Sequence, residues 1–170
     1  MKKILFIILL LSCITVSAAS FNKTACAPFF GVWETSNTMQ GVDVNAKMTL
    51  ESNGKILMVS NAHYSDSKMT LQFKFTVKGT WKYEDGVILF DWDSNTFTYD
   101  PTGTSQNVLN SGIVNKFVPS EKNRMLKNDK ITVFDKSDNS FSDQEGNNWT
   151  KTQSVKETKS KTGTAKKRRR

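Results

Sequence analysis

His63 is the only histidine in the chain, so any chemistry built on imidazole would have to be built there. A nucleophilic triad needs a hydroxyl on one side of that ring and an orienting carboxylate on the other. Nothing around Asn61-Ala62-His63-Tyr64 selects such partners, and a strand of mixed polarity puts His63 at the surface. Zinc-type sites take three or four Cys, His or carboxylate ligands. One histidine with the two cysteines Cys13 and Cys26 does not supply them. Oxygen ligands are present at Asp91, Asp93 and Asp100 and in the run 135–145, but none follows the Asp-x-Asp-x-Asp-Gly order of a calcium loop. They read as solvated turn carboxylates. No Gly-rich phosphate cradle is visible. The expectation is a non-enzymatic protein with no catalytic residue, no metal ligands and no cofactor.

Binding has better candidates. Met69, Leu71, Phe73, Phe75, Val77 and Trp81 alternate with polar residues, which makes one apolar strand face. That face is either the packed core of a curled sheet or part of a cavity wall. In the second case Trp33, Met48, Phe73, Phe75 and Trp81 would line a site for a small hydrophobic ligand, in a barrel too wide for its side chains to fill. The stretch 87–92 is apolar on both faces, so Ile88, Phe90 and Trp92 are either covered by the segment 113–126 or mark a partner surface. At the other end of the chain, Lys166, Lys167, Arg168, Arg169 and Arg170 form a basic run. Its partner would be an envelope polyanion such as lipopolysaccharide, acidic polysaccharide or anionic headgroups. Asn22-Lys23-Thr24 and Asn148-Trp149-Thr150 fit the glycosylation sequon, which matters only in a eukaryotic source.

An export leader decides between these partners. Met1-Lys2-Lys3 is a cationic start, 4–11 is unbroken apolar sequence, and Val16-Ser17-Ala18-Ala19 offers the small residues signal peptidase requires. The apolar run is shorter than the ~20 residues of a membrane span. Residues 1–19 are therefore a signal peptide, with cleavage near Ala18 or Ala19. The alternative is a lipobox-like cut before Cys13, which would leave a lipid anchor; bulky Leu11 argues against it. The destination is exported: periplasm, cell envelope or extracellular space. That removes the nuclear reading of the Arg-rich end and, with it, nucleic acid as a partner. Either cut leaves Cys26 as the one cysteine of the folded part, so a core rather than a disulfide supplies stability.

Charge divides the remainder. Residues 20–150 carry 13 Lys and Arg against 15 Asp and Glu, whereas 151–170 carry 9 basic residues against Glu157 alone. The nearly neutral stretch, 20–152, is one domain. The segment 153–170 is too polar to bury a core and reads as a disordered basic tail.

Within the domain the dominant period is two. Val42, Val44, Ala46, Met48 and Leu50 alternate with polar residues, then Asn53-Gly54 predicts a type I′ hairpin turn. The return strand runs 55–64, with Ile56, Met58 and Ala62 on one face. A long strand over 69–81 must bend or break near Gly79. Asp85-Gly86 predicts a second hairpin turn before the strand 87–92. Residues 93–127 are irregular, with a short strand at 96–99 and a short helix at 120–126, Pro119 disfavouring helix before it. Strands resume at 130–134, 140–143 and 148–152. The fold class is all-β: an antiparallel up-and-down meander of about eight strands forming a barrel or half-barrel. A β-sandwich is the alternative, and the lack of βαβ alternation argues against α/β folds.

Gly31-Val32-Trp33 opens the first strand of this meander, and Gly79-Thr80-Trp81 repeats the pattern ahead of the hairpin at Asp85-Gly86. With the closing pair at 130–133 and 143–151, the chain resembles the small lipocalin-like domains of exported bacterial proteins of the Bacteroidota type. The resemblance spans 30–151. It implies a barrel or half-barrel whose interior holds a small apolar ligand, and it implies no reaction. The irregular insert 93–127 departs from the pattern and bears on whether such a barrel closes.

Overall fold

Backbone pairing follows the alternation almost residue for residue. The computed structural model describes residues 21–39 and 41–153. The segment 1–19, expected to be a signal peptide, and the basic run Lys166, Lys167, Arg168, Arg169 and Arg170 lie outside the described residues. The strands are β1 (Gly31–Met39), β2 (Val42–Leu50), β3 (Lys55–Ser65), β4 (Thr70–Glu84), β5 (Val87–Asp100), β6 (Lys130–Thr132), β7 (Ser140–Ser142) and β8 (Asn148–Gln153). All belong to one antiparallel sheet in the order β6-β5-β4-β3-β2-β1-β8-β7. The sheet curls into a half-barrel, and its two edges touch at one place. There Phe134 and Ser142 exchange N–H···O=C bonds of 2.8 and 2.9 Å. Beside that bridge the Gln144 carboxamide imitates a strand. Its Oε1 accepts from the Thr132 N–H at 2.8 Å and its Nε2 donates to the Lys130 carbonyl at 3.4 Å.

The two hairpin turns differ. Asp85 and Gly86 both have positive φ (50° and 83°), as a type I′ turn requires. At Asn53-Gly54 only Gly54 does, at 80°, and its N–H donates to the Glu51 carbonyl at 3.1 Å. This corrects the predicted two-residue turn to a three-residue loop, Ser52-Asn53-Gly54. The cause is register: Leu50 pairs with Ile56 and the Glu51 N–H donates to the Lys55 carbonyl, which moves the point of strand separation back by a residue.

β4 does not break at Gly79. A Cβ at that position would stand 2.3 Å from the Asp91 carbonyl oxygen, so glycine is what allows β5 to pass so close. β5 is one strand rather than two pieces, with a bulge in it: Thr76 pairs with Thr98 but Lys78 with Asp93. The Thr96 hydroxyl repairs the interrupted ladder, accepting from the Lys78 N–H at 2.8 Å and donating to the Asp93 carbonyl at 2.7 Å.

Helix fills the insert more fully than the sequence suggests. α2 (Gln106–Asn110) precedes α3 (Ile113–Lys127), and α3 runs straight through Pro119. Pro119 removes one backbone donor, but the helix is held by packing of Val114, Phe117 and Val118 before it and Met125 and Leu126 after it. The opposite end of the interior is plugged by α1 (Lys23–Cys26), capped by the Asn22 side chain, and a 3₁₀ turn at Ala27–Phe29. Phe29 there packs against Trp33, Tyr83 and Phe141 with ring centroids 6.3, 4.5 and 6.0 Å away. Cys26 is fully buried beside it.

Candidate functional site

Register sorts the inward side chains of β1 to β4 into layers. Trp33, Met48, Met58 and Val77 pair across the four strands and make a layer of large apolar groups. Two residues further along β1 the corresponding row is Thr35, Ala46 and Ser60, ending on Phe75. Three small side chains in succession cannot fill the width that the layer beneath them fills. The shortfall is a cavity of about 120 Å³ (the space open to the centres of water-sized molecules). Thr35, Val44, Ala46, Met58, Ser60 and Trp92 line its sheet side, Arg124 and Met125 of α3 the opposite side, and Asn128, Ile131, Asp143, Asn147 and Trp149 are among the rest. Ile131, Trp149, Met125, Ser60 and Asp143 are all buried, whereas Asn37, Arg124 and Glu145 are exposed and form the rim.

The polar groups of this wall fall into two kinds. Some are saturated. The buried Asp143 carboxylate accepts from the N–H groups of Glu145 and Asn147, both at 2.9 Å, from Asn147 Nδ2 and from Trp149 Nε1 at 3.0 Å. Trp92 donates its indole N–H to the Asn128 carbonyl at 2.8 Å, and Arg124 is paired with Glu121 at 2.8 Å. The others have capacity to spare. Thr35 Oγ1 is buried without a hydrogen-bond partner. Ser60 is 5% exposed, and its hydroxyl likewise has no protein partner among the described residues.

The five residues expected to line a ligand site lie elsewhere. Trp33 and Met48 are fully buried, Phe73 and Phe75 are 1% exposed and Trp81 is 3% exposed. Trp33 donates to the Phe29 carbonyl at 2.7 Å, and Lys151 Nζ sits 4.8 Å from its ring while donating to the Pro28 carbonyl at 2.9 Å. Burial holds the Lys151 ammonium below its usual pKa range, with Lys136 adding to the effect. Phe73 and Phe75 stack at 5.8 Å and are covered by Phe117 of α3. Trp81 donates to the Glu51 carbonyl at 3.1 Å and borders only an open hollow with Phe21 and Leu89. Large inward residues fill the half-barrel, and the space opens where inward residues are small. Ser60, a polar break in the inward series Ile56, Met58, Ala62, was the available signal; Thr35 carried none.

Elsewhere on the strands, His63 is exposed. Ile88 and Phe90 point into the core, and Trp92 is partly covered by Met125 of α3. Among the described residues no group of three or more His, Cys, Asp or Glu is placed to hold a metal ion, and no helix is long and apolar enough to cross a membrane. No known family model matches the chain, and no curated protein matches it in sequence.

Proposed function

We propose that this chain is an exported, non-enzymatic binding protein of lipocalin-like build, whose half-barrel holds a small, largely apolar molecule. The observation that carries the reading is the cavity between the Thr35–Ala46–Ser60 row and α3. Its wall joins seven apolar residues, Val44, Ala46, Met58, Trp92, Met125, Ile131 and Trp149, to eight polar ones that would fix a ligand's orientation. Gly31-Val32-Trp33 supports the lipocalin-like assignment. A Cβ at Gly31 would stand 2.5 Å from the Gln153 carbonyl oxygen, so the motif's glycine is needed where β8 crosses the start of β1. Native mass spectrometry of the protein purified from its own host is the test. A retained small molecule, lost when Ala46→Trp fills the cavity, is the expected result; an empty protein at every stage of mild purification would overturn the reading.

The division of charge favours a second role beside the first. A domain of slight negative charge that ends in nine basic residues over 151–170 is suited to hold a polyanion of the cell envelope by its tail.

A further inference from the structure

We infer that the molecule taken by this cavity is uncharged, about ten heavy atoms in size, and carries a hydroxyl, carbonyl or amide that bonds Ser60 and Thr35. The inference rests on the cavity being the working site and goes on to name the ligand's class. The described polar atoms with spare capacity in the wall include two hydroxyls, and both sit in the same row across β1, β2 and β3. Ala46 is the residue between them, so nothing larger than a methyl group separates the two across the sheet.

A charged group cannot be buried against this pair. Two neutral hydroxyls do not replace the hydration of an ion, and an unpaired buried charge costs far more than a neutral polar group. The wall's own charges offer no help. Asp143 already has its donors, and Arg124 is an exposed rim residue paired with Glu121 at 2.8 and 2.9 Å, so neither sets an unpaired charge inside the cavity. Exposed Glu145 at the rim disfavours an anion further. A wholly apolar molecule fits no better, because it would shield the hydroxyls from water and give them no partner in return. Thr35 Oγ1 is buried, so a ligand bonds it only if the side chain turns about χ1 toward the cavity, a step between staggered positions. Size follows from volume: an open-sided space of about 120 Å³ suits a small molecule, on the order of ten heavy atoms.

The test uses four probes of one shape, benzyl alcohol, toluene, benzoate and benzylamine, titrated into the isotope-labelled mature full chain and followed by NMR. Benzyl alcohol should bind about tenfold more tightly than the other three, the worth of one good hydrogen bond. Its shifts should centre on the amides of Thr35, Ala46 and Ser60. The double variant Thr35→Val, Ser60→Ala should lose that preference and keep its affinity for toluene. Thr35→Val alone should melt no lower than the parent, since it removes an unpaired hydroxyl. Equal binding of toluene and benzyl alcohol, preference for either ion, or no binding by any probe would overturn the inference. A molecule retained in native mass spectrometry that proves to be charged would sink this ligand class and leave the proposed binding function standing.

Discussion

Asp143 organises its surroundings through one carboxylate. Its two oxygens gather the backbone donors of Glu145 and Asn147, the Asn147 amide and the Trp149 indole, and so fix the turn between β7 and β8 against the cavity. Asp143→Ala leaves all of these donors facing no acceptor in a buried place. We expect a loss of about 2–4 kcal/mol, read from the urea midpoint. Asp143→Asn keeps the shape but turns a donor toward Trp149 Nε1 or Asn147 Nδ2, and should fall between the two; parental stability in both variants would refute this role. Cys26 makes a second residue-level prediction. Burial pushes its thiol pKa up, the Tyr83 backbone hydrogen bond opposes that, and Glu84 adds to the rise. A proton held more tightly in the folded state contributes stability that is complete below the ordinary thiol range, ~8.5. That stability is lost as pH climbs through the raised value. The urea midpoint of the parent should therefore fall between pH 8 and pH 10 more steeply than that of Cys26→Ala. The thiol should also react with a colorimetric disulfide reagent only once the protein unfolds, and rapid labelling of the native state would contradict its burial.

Strands are elements that one sequence announces well, because a period of two survives any tertiary context that buries one face. β2, β3 and β4 lie where Val42 to Trp81 alternate, and Asp85-Gly86 makes the turn its residues demand. Features set by register are harder to read. Nothing in Asn53-Gly54 says that Leu50 will pair with Ile56 and enlarge the loop. Nothing in Ser94-Asn95-Thr96-Phe97 says that a hydroxyl will stand in for a ladder bond. α3 was legible only in its second half, since Pro119 argues against helix locally and the gain from covering Phe73 and Phe75 comes from β4, distant in sequence. Beyond the polar break at Ser60 the cavity left no trace, for the same reason: it depends on Thr35, Ala46 and Ser60 sharing one row, and pairing decides that. Pro119 offers a direct test of packing against propensity. It is exposed inside a helix of 15 residues, and proline there costs up to about 3 kcal/mol relative to alanine. Pro119→Ala should raise stability by roughly 1–2 kcal/mol, some of the full cost having been absorbed by the fitted geometry of the helix. An unchanged or lower melting temperature would show that the interruption at Pro119 is needed for α3 to lie across the sheet.

For the whole molecule, charge and fold are separable, and each serves one of the two proposed roles. The folded domain closes its own core without a disulfide, with Cys26 buried and rows of large residues stacked above the plug at Phe29. Its balance of 13 basic against 15 acidic residues over 20–150 gives a polyanion no net attraction. The attraction must come from 151–170, where nine cations meet one Glu157. Lys151 is withheld from that set, because its ammonium is bonded to Pro28 and placed over the Trp33 ring. Lys156, Lys159, Lys161 and the run Lys166, Lys167, Arg168, Arg169 and Arg170 then remain as the polyanion contacts. Each basic residue near an anionic surface contributes about 1 kcal/mol, an attraction that falls off within a Debye length. Binding of the full chain to heparin or to lipopolysaccharide vesicles should therefore weaken steeply as salt rises from 50 to 500 mM. Deleting 156–170 should abolish the binding at both ends of that range and leave melting temperature and cavity-ligand affinity unchanged. Binding that survives the deletion would move the polyanion site to the lysines on the outer face of β4, Lys74, Lys78 and Lys82, which alternate with the inward residues of that strand.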